Sequence, residues 1–175
     1  MNPDRVDVDR GGEKAKDADI LINNNWLQDI QQLFKQSRVA LIATTGLHGP
    51  EASMAPFAVH KVNILLHLSA LAKHTGNIER EPNIGLMVCT PESIADSPLA
   101  LPRITLQGQL LPVGHADLAA AKAAYLTRIP DAEQLFSFAD FRLFQFSPAR
   151  IHWVGGFGSA RKVSLAQWKS LTSLV

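Results

Sequence analysis

From Val39 to Val113 the chain is a succession of short apolar runs cut by turn signals, and this pattern constrains the fold more than any other feature. Val39 to Thr44 is followed by Gly46-Leu47-His48-Gly49-Pro50, a strong turn. Ala52 to His60 and Ile64 to Ser69 come next, parted by a brief turn at Lys61-Val62-Asn63, and read as a meander of antiparallel strands. Pro56 removes a ladder donor, so its strand is expected at an edge or bulged. A short helix from Leu71 to Glu81 precedes a buried strand ending at Cys89. Pro91 to Pro102 reads as an exposed loop, and Arg103 to Val113 restores the strand pattern.

Helical spacing brackets these strands. Trp26, Ile30, Leu33 and Phe34 recur on one face of a segment running from Ile20 to about Ser37. Alanine-rich His115 to Arg128 stops before Pro130, and Leu165 to Leu174 is a last amphipathic stretch. Two further strands are expected at Phe141 to Phe146 and Arg150 to Val154. The turn after them holds Gly155, Gly156 and Gly158, and glycines there imply a left-handed backbone or a close approach. Six or seven short strands with few helices predict a mainly β chain, closed as one antiparallel barrel that leaves few edges. Residues 1–19 read as a flexible polar tail, and residues 20–175 as a single domain.

The composition excludes several classes. A net charge of +1 and 7% aromatic residues give no basis for nucleic-acid binding. No run approaches a membrane span, and the N-terminus has no apolar signal region, so a cytoplasmic address is expected. Lone Cys89 sits in an apolar run and reads as a small core residue. The six histidines show no metal spacing, and His67 and His152 read as half-exposed structural residues opposite the core-facing set. Hydrolase motifs are absent as well.

The segment Ser69 to Asn77 is the best place for chemistry. A strand runs out at Ser69, and a helix start follows with Lys73, His74, Thr75 and Asn77 close by. Backbone N–H groups at a helix start, with a cation and hydroxyl donors, make a cradle suited to phosphate. The same residues equally describe a capped surface helix, with Ser69 or Thr75 as the cap. Small residues at Ser53, Met54 and Ala55 before Pro56 let a flat ligand lie along a strand, or simply mark a bulged one. Arg103 can reach a phosphate or stay solvated.

Five segments in this order carry a family likeness: Ala52 to Phe57, His67 to Asn77, Arg103 to Gly108, Ala139 to Leu143 and Trp153 to Ala160. Together they resemble the split-barrel flavoproteins related to pyridoxamine 5'-phosphate oxidase, and within them the haem-iron utilisation (HugZ-type) branch. The resemblance implies a six-stranded split barrel that forms a homodimer with FMN between the subunits, acting on a small-molecule substrate as a flavin-dependent oxidoreductase. By position, Lys73, His74, Thr75 and Asn77 would hold the flavin phosphate with Arg103 as helper, and Ser53, Met54 and Ala55 would lie along the ring. The haem branch offers the alternative of haem binding or breakdown. Its iron ligand is a histidine after the glycine turn, and this chain has none beyond His152. A third alternative is a binding module without catalysis.

Overall fold

The computed structural model describes residues 26–92, 97–156 and 158–173. Its strands are β1 (Val39–Gly46), β2 (Gly49–His60), β3 (Asn63–Ser69), β4 (Asn83–Cys89), β5 (Arg103–Pro112), β6 (Phe141–Val154) and β7 (Ala160–Val163). The helices are α1 (26–36), α2 (Lys73–Arg80), α3 (His115–Arg128) and α4 (Leu165–Thr172). A 3-10 segment, Pro130–Ser137, leads from α3 to β6. The strands lie in the order β3-β2-β1-β4-β5-β6-β7, and pairing of β3 with β6 closes the first six into an antiparallel barrel. β7 is a seventh strand added to β6.

Strand alternation builds the interior. Ala40 and Ile42 on β1, Leu86 and Val88 on β4, and Ile104 and Leu106 on β5 all point into one core. α1 stoppers it with Trp26, Ile30, Leu33 and Phe34, which the 3.6-residue repeat puts on one face. Phe34 meets Phe57 and Trp168 edge-on, each at 5.6 Å between ring centres. α4 starts with a capping box in which Ser164 and Gln167 satisfy each other's backbone N–H groups. A second, smaller core lies outside the barrel, where Ala58, Leu65 and Leu143 meet Ala121, Tyr125, Ile129 and Ala132. Between these two layers β3 is buried on both faces from Ile64 to Leu68.

Several expectations need correction. β6 is one strand of 14 residues, not two. Its apparent break at Pro148 is a register shift against β5, between Gln107 and Gly108, where a Cβ on Gly108 would lie 2.1 Å from the Ser147 carbonyl oxygen. β6 changes partners along one edge, taking β3 at 141–146 and β7 at 151–154. β7 had no forecast, because Ala160-Arg161-Lys162-Val163 is short and charged. Pro56 falls on an open edge, as expected, because β2 pairs with β1 over residues 49–56 and with β3 only over 57–60. Cys89 is half-buried rather than a core residue. The glycine turn follows expectation: Gly156 and Gly158 have φ of 141° and 76°, and a Cβ on Gly155 would meet Trp153 Nε1 at 3.0 Å. The forecast tail at residues 1–19, and the helix start at 20–25, lie outside the described residues.

Candidate functional site

The barrel splits where β2 and β3 part. Their pairing runs from His60↔Asn63 to Phe57↔Leu66 and stops there, while β3 continues along β6 to Ser69. Phe57 N–H donates to Arg38 O, so the neighbouring nitrogen of Pro56 faces the side that β3 has vacated. Proline is tolerated there because no ladder acceptor awaits a donor. The parted strands open a cleft of about 460 Å³, a size suited to a small organic ligand or cofactor.

Its walls come from four places. Met54, Ala55 and Pro56 supply one side, with Val39 and exposed Arg38 at the edge. His67, Leu68 and Ser69 of β3 supply another, and Ala72 and His74 the start of α2. Tyr125 and Ile129 of α3 and its exit, then Ala132 and Leu135 of the 3-10 segment, close the far side beside Phe141. The lining is mostly apolar, with Asp131 and Arg38 as its charged members.

Both imidazoles in the cleft are kept neutral at pH 7. Burial, aided by the charge of Lys122, lowers the His67 pKa to about 4. Burial also lowers that of His74. His74 Nδ1 shares a 3.1 Å hydrogen bond with Ser53 Oγ, which fixes the ring and leaves Nε2 for another partner. Burial raises Tyr125 to about 12, so its phenol keeps its proton and donates to Pro56 O at 3.3 Å.

Hydrogen bonds fix the turn that presents His74. Ser69 Oγ donates to Asp140 Oδ2 at 2.7 Å and accepts from Leu71 N–H. Thr75 Oγ1 donates back to Ser69 O at 2.6 Å, so its hydroxyl faces inward and does not cap the helix. Asn77 is buried and donates to Thr44 Oγ1 and Glu51 Oε2, pinning α2 to the β1–β2 hairpin.

Of the nine residues singled out in the sequence, Met54, Ala55, Ser69 and His74 line the cleft, and Ser53 joins them through His74. Lys73 lines a separate hollow with His48, Glu51, Asn77 and Arg80. Thr75 is fully buried. Arg103 starts β5 opposite Cys89 and Val154, donates to Leu101 O, and lines neither space. Exposed His152 lies on β6 between Thr105 and Lys162, and it too is absent from the cleft walls. His67, expected half-exposed, is buried, because α3 and the 3-10 segment cover that face of β3. Sequence reading also missed Tyr125, Ile129 and Leu135, whose only signal is the apolar face of a helix and its continuation.

Beside the cleft mouth the outer face of the sheet is apolar. Val39, Leu41 and Met54 are 40%, 46% and 56% exposed. Leu41 lies across from Met54 on β2 and Met87 on β4, and Ala43 across from Ala52 and Gly85. Among the described residues no helix is long and apolar enough to cross a membrane, and no cluster of three or more His, Cys, Asp or Glu side chains is placed to hold a metal ion.

Over residues 14–170 the chain matches the CREG β-barrel family. It is 30% identical over 138 residues to the heme oxygenase HutZ of Vibrio cholerae, covering 75% of this chain and 77% of that protein. Among solved structures it is similar to a heme binding protein from Mycobacterium smegmatis, with TM-score 0.74 and 26% identity over 82% of this chain. The match spans 60% of that mycobacterial chain. A putative pyridoxamine 5'-phosphate oxidase from Listeria innocua shares the fold at TM-score 0.58 and 14% identity, over 75% of this chain and 99% of its own. The parted strands, the closed six-stranded barrel and these likenesses lead to one assignment: the chain belongs to the CREG β-barrel family, is similar in sequence to HutZ, and shares its split-barrel fold with pyridoxamine 5'-phosphate oxidase-like proteins.

Proposed function

We propose that this chain binds haem in the cleft between β2, β3 and the 3-10 segment, and that haem breakdown is the reaction the site serves. The observation that carries the reading is an apolar cleft holding uncharged imidazoles, beside exposed Arg38. These residues fit the group. A porphyrin disc needs apolar walls, its carboxylates need a wet cationic edge, and its iron needs a neutral nitrogen. His74 is the ligand assigned to the iron, because the hydrogen bond between its other nitrogen and Ser53 Oγ orients its ring, as ligating histidines require. Haem, when bound, supplies a redox-active iron within the very ring that a haem oxygenase opens. The side chains position that ring, exclude water along Leu68, Ile129 and Leu135, and keep His74 unprotonated. The named activity of HutZ and the named ligand of the mycobacterial protein support the same choice.

A second copy of the chain on the Val39–Leu41–Met54 face would complete the wall, since Val39 and Met54 belong to both that face and the cleft. FMN stands second. Lys73 and Arg80, two cations able to take a phosphate, are the observation in its favour, in a hollow they share with His48 and Glu51. Titration of the protein with haemin tests the main reading: a saturable Soret band is expected, shifted and weakened about tenfold or more by His74→Ala, and to a lesser degree by Ser53→Ala. Unchanged spectra and affinity in His74→Ala would remove that residue as the ligand.

A further inference from the structure

The β2–β3 ladder ends one rung before the cleft. Its pairs run from His60↔Asn63 to Phe57↔Leu66, so the register puts the next rung at Pro56 and His67. The groups that would make it face the gap. Pro56 O points away from β1, because Phe57 N–H of the same peptide is spent on Arg38 O. Leu143, across from His67 on β6, gives its carbonyl to Val113 N–H on the far side, so His67 N–H turns away from β6 and towards β2.

A side chain occupies the gap instead. Tyr125 of α3 donates its hydroxyl to Pro56 O at 3.3 Å. Burial raises the pKa of this phenol, and the backbone N–H of His67, a donor to the same oxygen, pulls part of that rise back. A hydroxyl donates once and accepts twice, so one group serves a carbonyl and an N–H that would otherwise serve each other. Pro56 has no N–H with which to make the second bond of the rung. The ring is fixed in place: Tyr125 is 1% exposed among Ala58, Leu65, Ile129 and Leu143, with His67 and Phe136 edge-on at 5.8 and 6.1 Å. Beyond the hydroxyl lies the cleft, whose facing walls are Met54 to Pro56 and His67 to Ser69.

We propose that Tyr125 is the positioning residue that ends the β2–β3 ladder and so sets the width of the ligand cleft, with Pro56 as its partner in the stop. A completed rung would draw the strands to about 4.8 Å apart, which leaves no room for a ligand between their backbones. The hydroxyl keeps them parted while leaving neither polar group unpaired. The stop itself is independent of what fills the cleft, and its consequence for haemin rests on the haem reading.

The test is the through-bond coupling between the His67 nitrogen and the Pro56 carbonyl carbon, which nuclear magnetic resonance of the isotope-labelled, ligand-free whole chain detects only across a hydrogen bond. Wild type should show none. Tyr125→Phe keeps the ring and removes the wedge; it should show the coupling and bind haemin about tenfold more weakly. Pro56→Ala in that background restores the missing donor, and should add the reciprocal coupling to the His67 carbonyl and weaken haemin further. Coupling across the Ala58–Leu65 rung reports in every variant that the sheet is intact. No Pro56–His67 coupling in either variant, or a coupling already present in wild type, would overturn the stop. Unchanged haemin affinity in a variant that shows the coupling would overturn its hold on the cleft and leave haem binding standing. A wild type without a Soret band would overturn the haem reading alone, because the couplings are read without ligand.

Discussion

Replacing Arg128 with alanine should unfasten α1 from the barrel. Arg128 ends α3 and sends Nη2 to the carbonyls of Phe34, Lys35 and Ser37, at 2.6, 2.8 and 3.1 Å. Those carbonyls close α1 and its exit, where a helix has no internal donors left. One nitrogen carries two hydrogens, so three acceptors share at most two strong bonds. Charged hydrogen bonds contribute about 1.5–3 kcal/mol each, and the half-buried setting, which lets water replace part of the loss, argues for the lower end. The expected cost is about 2–3 kcal/mol, a fall in Tm of roughly 4–12 °C for a domain of this size. Urea unfolding followed by tryptophan fluorescence reads it well, because Trp26 sits on α1 and Trp168 against Phe34. Arg128→Lys should recover part of the loss, having the charge without the fork. A change within about 0.5 kcal/mol for Arg128→Ala would refute the argument and leave α1 anchored chiefly by the packing of Trp26, Ile30, Leu33 and Phe34.

Further outcomes follow from the same geometry. Gly108→Ala should cost about 2–3 kcal/mol, since its Cβ meets backbone at 2.1 Å, whereas Gly76→Ala, with nothing within 4 Å in the middle of α2, should stabilise by about 0.5–1 kcal/mol; thermal melts of the pair check this. Stability should fall as pH drops from about 6.5 towards 4. Unfolded His67 takes up a proton over that range and folded His67, with its pKa near 4, does not, so the unfolded state binds more protons. His74 adds in the same direction, and His67→Leu should flatten the acid limb of the stability curve without touching the neutral plateau. A limb of unchanged slope would show that His67 is not buried neutral.

How much could be read in advance depended on how local the cause was. Alternation from Val39 to Leu110 placed the barrel strands in sequence, because each residue's face is set by its immediate neighbours. Pro148 misled, since its effect depends on Gly108, far earlier in the chain, making room for it. The turn from Ser69 to His74 was legible as a candidate, and it lines the cleft, but the fate of each polar group was not legible. Thr75 spends its hydroxyl on Ser69 and Asn77 its amide on Thr44 and Glu51, pairings that only the folded chain decides. His67 was misjudged for a related reason: a histidine facing away from one core looks solvated until a second layer is placed over it.

Parallel titration of the purified wild type with haemin and with FMN tests the central claim most directly. The account predicts a saturable Soret band with haemin and weaker uptake of FMN. Tight FMN binding with flavin bands and no saturable Soret band would contradict it, and would move the chemistry to Lys73 and its neighbours.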